Sequence, residues 1–194
     1  MRNKAIFLDR DGTIIVDAGF ARDPARVTLL PGVAEALQIL RQRGFFLVVV
    51  SNQSGIGRGL ITPHEARGVH DKMVDLLRAH GIELDAAYYC PHTPEDACSC
   101  RKPRPGLLLQ AIRDRQIDPV RSYCIGDRIR DMQAGAAVGC HTILLRLDPA
   151  SDEMEAQSDG AINFVADSWG DALHYILERE KDIPGDGTGS TDMD

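Results

Sequence analysis

Ile6-Phe7-Leu8-Asp9-Arg10-Asp11-Gly12-Thr13-Ile14-Ile15 decides how this chain reads. The apolar run 5–8 delivers two carboxylates, one residue apart, into a turn made by Gly12. Short, continuous apolar runs mark strands buried on both faces, as in parallel sheets. The carboxyl edge of such a sheet forms the crevice that open α/β folds use for ligands. Two acids meeting there repel each other unless a cation lies between them. The spacing therefore predicts a hard, oxygen-seeking divalent ion, Mg²⁺ first. With such an ion in place, one carboxylate stays ionised as a nucleophile while its neighbour handles protons. Read alone, D-x-D-G is also an ordinary acidic turn after a strand.

The rest of the chain repeats the pattern of strand, turn and helix. Residues 16–30 are irregular, and a loop of that length in an α/β domain usually covers a site. A helix is expected over 33–43, stopped by Gly44, and a second buried strand over 45–50. That strand empties into Ser51-Asn52-Gln53-Ser54-Gly55-Ile56-Gly57-Arg58-Gly59. Glycines let backbone N–H groups converge on an anion, and Ser51 and Asn52 add side-chain donors, which makes the loop a phosphate cradle. Thr62-Pro63-His64-Glu65 reads as a capping box opening a helix over 65–79. His64, His70 and His80 have no partners at ligand spacing and are expected at the surface or at helix ends. A third strand spans 86–89.

Cys90, His92, Cys98 and Cys100 follow at C-x-H-x₅-C-x-C spacing. Three thiolates and an imidazole make a complete tetrahedral zinc set with no position left for water, so the expected ion is structural. Arg101, Lys102 and Arg104 come directly after, as a basic linker or as cations presented on a rigid platform. Pro105 starts the next helix. A fourth strand, 122–125, delivers Asp127 to the edge already occupied by Asp9 and Asp11. Three acids from two strands can share one Mg²⁺. Asp131 reads either as an outer partner of that site or as a first-turn helix acid. A helix over 129–138, a strand over 142–145, a strand over 161–165 and a helix over 169–180 complete the fold. Cys124 and Cys140 stand apart and read as small core residues.

These pieces predict one doubly wound, Rossmann-like, mostly parallel α/β domain over 1–182. Residues 150–159 read as an acidic loop and 183–194 as a disordered tail. The chain has 194 residues, 43% of them hydrophobic and 26% charged, with a net charge of −7. That balance argues against a general nucleic-acid binder. It leaves room for an anionic substrate, because Arg10, Arg58, Arg101, Lys102, Arg104, Arg128 and Arg130 cluster beside the motifs. No apolar run is long enough to span a membrane, and five cysteines without an export signal suggest thiolate ligands or free thiols. A cytoplasmic monomer is expected.

In order, Asp9 to Thr13, Ser51-Asn52, Lys102 and Gly126 to Asp131 resemble the four motifs of the haloacid dehalogenase (HAD) superfamily of phosphotransferases. The resemblance covers about residues 5–146, and F-L-D-R-D-G-T, N-Q-S-G-I-G-R-G and C-P-H-x₅-C-x-C-R-K-P-x-P-G narrow it to a zinc-containing branch without a large cap domain. The resemblance implies an Mg²⁺-dependent phosphatase acting through a phospho-aspartate. Its substrate would be a small phosphorylated sugar, D-glycero-D-manno-heptose 1,7-bisphosphate first and histidinol phosphate as the alternative. Asp9 would attack phosphorus and Asp11 would serve as acid, then base. Asp9, the Asp11 carbonyl and Asp127 would hold Mg²⁺, with Ser51 and Lys102 stabilising the transferring group. Asn52 and Arg101 would orient the substrate, helped by Asp17, Phe20, Gln53, Ser54, Arg58 and Arg128. A receiver-like phosphoacceptor and a zinc-dependent nucleic-acid module are the competing classes; neither accounts for the acids and the zinc loop together.

Overall fold

The computed structural model describes residues 2–147 and 160–181; the expected acidic loop and C-terminal tail lie outside them. In chain order the elements are β1 (Ala5–Leu8), α1 (Val33–Gln42), β2 (Phe46–Asn52), α2 (Ser54–Gly57), α3 (Pro63–Ala79), β3 (Ala86–Cys90), α4 (Gly106–Arg115), β4 (Tyr123–Gly126), α5 (Ile129–Ala137), β5 (His141–Leu145), β6 (Phe164–Ala166) and α6 (Trp169–Lys181). The six strands form one sheet in the order β3-β2-β1-β4-β5-β6. Every pairing is parallel. This is a doubly wound α/β fold.

Side chains alternate across each strand, so β1 and β2 feed two separate cores. Ile6, Leu8, Leu47 and Val49 face the layer of α1, α3 and α6, with Leu37, Met73 and Trp169 among their partners. Ala5, Phe7, Val48 and Val50 face α4 and α5, meeting Leu107, Leu108, Ala111 and Ala134. Burying both faces is why these strands read as unbroken apolar runs. Each fully buried Leu or Ile contributes about 1.5–3 kcal/mol.

The capping box is present: Thr62 Oγ1 accepts from Glu65 N–H at 3.1 Å, and Glu65 Oε2 accepts from Thr62 N–H at 2.7 Å. It places the start of α3 at Pro63, two residues before the expected one. Strand β2 also runs beyond its expected end, because Ser51 and Asn52 pair with Tyr89 and Cys90. The expected glycine-rich loop thus begins later and contains a single helical turn, α2. Pro105 caps α4 rather than opening it. Gly106 follows because a Cβ there would lie 2.3 Å from the Ser99 carbonyl oxygen, so α4 docks directly on the Cys-rich loop.

Sequential strands depart from β1 towards β3 on one side and from β4 towards β6 on the other. The reversal opens the crevice between the carboxyl ends of β1 and β4, where this topology places ligands. Trp169 Nε1 donates to the Thr13 carbonyl at 2.9 Å, anchoring the turn beneath that crevice to α6. No helix among the described residues is long and apolar enough to cross a membrane.

Candidate active site

Asp9 is the first residue past β1, Asp127 the first past β4, and Ser51 sits near the end of β2. Three neighbouring strands therefore aim polar side chains into one crevice. Two glycines allow the close approach. A Cβ on Gly12 would lie 2.5 Å from Asp127 Oδ2, and one on Gly126 would lie 2.5 Å from the Asp131 side chain. Gly12 also has φ +76°, a conformation that L side chains rarely adopt.

Lys102 reaches the crevice from the loop after β3 and is 3% exposed. Its ammonium lies 2.8 Å from Asp9 Oδ1 and 2.7 Å from Asp131 Oδ1, and it donates to the Val50 carbonyl at 2.6 Å. Asn52 fixes the Lys102 backbone from both sides. Its Nδ2 donates to the Lys102 carbonyl at 3.0 Å, and its Oδ1 accepts from the Lys102 N–H at 3.1 Å. Asp131 is the first-turn helix acid that the sequence offered. It sits in the first turn of α5, accepting from the Arg128 N–H at 3.1 Å, and it also pairs with Lys102.

The electrostatics separate the two acids of the first motif. Burial works against a charge on Asp9, but the Lys102 ammonium outweighs it, aided by hydrogen bonds from Lys102 and Ser51, and holds the carboxyl below its usual range. Burial of Asp11 raises its carboxyl; Arg10 opposes the rise and the Asp9 charge adds to it. One acid is thus held in its charged form while its neighbour gives up its proton less readily than a free carboxyl. Burial would strip the proton from Lys102, yet Asp131 and Asp9 hold it firmly charged.

Asp9, Asp127 and Asp131 each present a carboxylate oxygen, and these atoms lie within 4.8 Å of one another. Asp127 Oδ1 is buried without a hydrogen-bond partner, and burial followed by the charges of Asp9 and Asp131 pushes Asp127 up to about 7. An orphaned oxygen among repelling carboxylates suits a hard divalent cation.

Cys90, His92, Cys98 and Cys100 converge in the loop that carries Lys102. The three Sγ atoms lie 3.3–3.7 Å apart, and His92 Nδ1 lies 3.6 Å from Cys90 Sγ and 3.3 Å from Cys100 Sγ. Ligands about 2.0–2.3 Å from a tetrahedral zinc stand roughly 3.4–3.8 Å from one another. The donor set and its spacing fit that ion.

The family model described as HAD-hydrolase-like matches residues 99–172. Over 172 residues the chain is 42% identical to D-glycero-beta-D-manno-heptose-1,7-bisphosphate 7-phosphatase of Yersinia pestis, covering 84% of this chain and 92% of that protein. The chain belongs to the heptose-bisphosphate phosphatase family of HAD-like hydrolases. The Haemophilus influenzae member is 38% identical over 92% of this chain and 99% of its own length. A crystal structure of D,D-heptose 1,7-bisphosphate phosphatase from B. bronchiseptica, complexed with magnesium and phosphate, superposes with a TM-score of 0.82. It is 34% identical and covers 91% of this chain and 99% of that one.

In this HAD-like phosphatase, a pocket of about 240 Å³ collects most of the expected site: Asp9, Asp11, Asp17, Phe20, Asn52, Gln53, Ser54, Arg101, Asp127 and Arg128. Phe20 packs over Gly55, where a Cβ would come within 2.6 Å of its ring. Arg128 crosses the pocket, with Nε 2.9 Å from Asp127 Oδ2 and Nη2 3.4 Å from Asp17 Oδ2. Arg58 is exposed and does not line the pocket, because α2 turns it away. Arg104 also points elsewhere, donating to the Cys98 carbonyl at 2.6 Å.

The expected donors Asn52 and Gln53 are largely committed to protein partners. Gln53 Nε2 donates to Asp11 Oδ2 at 2.9 Å and to Ser51 Oγ at 3.2 Å, and Gln53 Oε1 accepts from Arg10 Nη2 at 2.9 Å. His70 is half-buried rather than superficial, with Nδ1 2.7 Å from the Tyr89 hydroxyl. Arg130, named in the sequence only as one of the cations beside the motifs, also lines the pocket from the first turn of α5.

Proposed function

We propose that this phosphatase removes the 7-phosphate of D-glycero-beta-D-manno-heptose 1,7-bisphosphate through a phosphoryl group carried on Asp9. The observation that carries the reading is the divided pair: Asp9 held ionised by Lys102 at 2.8 Å, and Asp11, two residues on, raised by burial. The names of the relatives supply the sugar.

Asp9 attacks phosphorus as the bond to the sugar oxygen breaks, and Asp11 gives that oxygen its proton. Asp11, now ionised, takes a proton from water, and the resulting hydroxide attacks phosphorus and releases phosphate from Asp9. Lys102 and Ser51 offer donors to the phosphoryl oxygens in both transfers. Asp9, Asp127 and the Asp11 carbonyl would hold Mg²⁺, which supplies positive charge to the equatorial oxygens when bound. Arg101, Arg128 and Arg130 line the pocket and give it the cations that a second phosphate needs. Zinc on Cys90, His92, Cys98 and Cys100 would serve structure alone, clamping the loop that presents Arg101 and Lys102.

Phosphorus NMR of the purified protein with Mg²⁺ and the heptose bisphosphate tests the reading. The 7-phosphate resonance should give way to inorganic phosphate while the 1-phosphate stays. Faster turnover of histidinol phosphate would move the assignment to that substrate, and no release from either would remove it.

A further inference from the structure

Arg10 lies between the two aspartates of the first motif, in the bend that follows β1. It is 1% exposed. Its Nε lies 3.2 and 3.1 Å from the two Asp11 oxygens, and its Nη2 lies 3.1 and 2.9 Å from them. The same Nη2 donates to Gln53 Oε1 at 2.9 Å, and Gln53 Nε2 returns to Asp11 Oδ2 at 2.9 Å. Arginine, glutamine and carboxylate therefore close a three-membered ring. Behind it, Tyr89 sets its ring 5.9 Å from the Arg10 guanidinium, and its hydroxyl is fixed by His70 at 2.7 Å. Arg10, Gln53, His70 and Tyr89 line a cavity of about 260 Å³, whereas Asp11 and Gln53 line the substrate pocket.

We propose that Arg10 is the positioning residue of Asp11, with Gln53 as its second arm. The role rests on the phosphatase reading above, in which Asp11 acts twice, first as acid and then as base. A single carboxylate serves two successive proton transfers only if it holds one place while its charge changes. A planar guanidinium bonded to both oxygens does so, whereas a lysine ammonium offers a point charge without the fork. The fold by itself gives little reason for the arrangement, since a buried ion pair adds little net stability. A misplacement of about 1 Å can cost roughly 100-fold in rate.

Steady-state kinetics on p-nitrophenyl phosphate separate this role from a structural one. Its leaving group departs without a proton, so kcat/KM reports transfer to Asp9, while kcat reports the hydrolysis that needs Asp11 as base. Arg10→Ala is expected to lower kcat by at least roughly 10-fold and leave kcat/KM within about 3-fold. On the heptose bisphosphate both constants should fall. Millimolar methylguanidinium, entering the cavity that the truncation enlarges, should restore part of kcat to Arg10→Ala and leave the wild type unchanged. Gln53→Ala should show the same split more weakly, and it serves alone if Arg10→Ala does not fold. Unchanged kcat in folded variants, or joint loss of kcat and kcat/KM without rescue, overturns the positioning role. A wild type that releases phosphate from no ester overturns the phosphatase reading instead, and this inference falls with it.

Discussion

Gly12 and Asp127 touch across the crevice: the glycine's missing side chain is the space that the carboxylate occupies, with a Cβ there only 2.5 Å from Asp127 Oδ2. Two segments 115 positions apart by numbering are thus fitted to each other at atomic contact. Gly12→Ala should displace Asp127 as well as strain a turn at φ +76°. The strain alone costs about 1–2 kcal/mol. With Asp127 in the proposed metal-holding role, displacing it adds roughly 2.7–4 kcal/mol of barrier. The expected outcome is a folded protein whose Mg²⁺ titration of turnover shifts to higher concentration and whose kcat/KM falls by about 100-fold or more. Wild-type magnesium dependence in this variant would show that Asp127 does not need its present place.

Lys102 holds two carboxylates at once, Asp9 and Asp131, in a site 3% exposed. Lys102→Met leaves both acids buried without their counter-charge, an uncompensated state that costs about 3–5 kcal/mol. Urea unfolding should show that loss. Adding Asp131→Asn removes one stranded charge and should recover part of it, since residues in one network couple by roughly 0.5–3 kcal/mol. Additive losses in the double variant would mean that the ion pair is not the source of the destabilisation.

Why these acids were legible and their supports were not follows from what a sequence displays. Asp9 and Asp127 each stand directly after a buried apolar run, and parallel strands put such residues on one edge. Cys90, His92, Cys98 and Cys100 announce themselves by ligand chemistry at close spacing. Arg10 carries no comparable mark: a buried arginine and a solvated one look alike in sequence. Ser51 and Asn52 read as donors for a phosphate because the sequence places the start of the loop at residue 51, and Gln53 entered only through the family resemblance. Strand β2 continues through Asn52, and much of the hydrogen bonding of Asn52 and Gln53 is spent on Lys102, Arg10, Asp11 and Ser51. His70 gave no sign of Tyr89, its partner on β3, since that contact depends on how α3 packs against the sheet.

Asp127 predicts how pH and magnesium interact. Its carboxyl is raised from 3.8 to about 7, chiefly by burial and then by Asp9 and Asp131. A raised acid binds its proton more tightly folded than unfolded, so its contribution to stability is complete below about pH 4 and is lost as pH rises through about 7. Magnesium needs the ionised form and reverses that loss. The rise in melting temperature on adding Mg²⁺ should therefore be small near pH 5.5 and grow towards pH 8. A shift independent of pH across that window would separate Asp127 from the ion.

Zinc should act on catalysis through two residues of chain. Cys100 is followed directly by Arg101 and Lys102, and the loop is tied to the end of β2 and to α2 by Gln53 N–H to the Cys90 carbonyl at 2.7 Å and Gly57 N–H to the Pro91 carbonyl at 2.9 Å. Structural zinc contributes folding free energy outright, and a loop this short has no core of its own to replace it. Purified protein should carry one zinc per chain by elemental analysis. Cys98→Ser should bind it substoichiometrically and lose turnover in proportion, while the far-UV spectrum of the sheet and helices stays close to that of the wild type. Because Lys102 also anchors Asp9, chelation of the wild type should abolish activity even with Mg²⁺ in excess, and restoring zinc should recover it. Full turnover in protein shown to be free of zinc would mean that the hydrogen bonds of this loop suffice to hold Lys102.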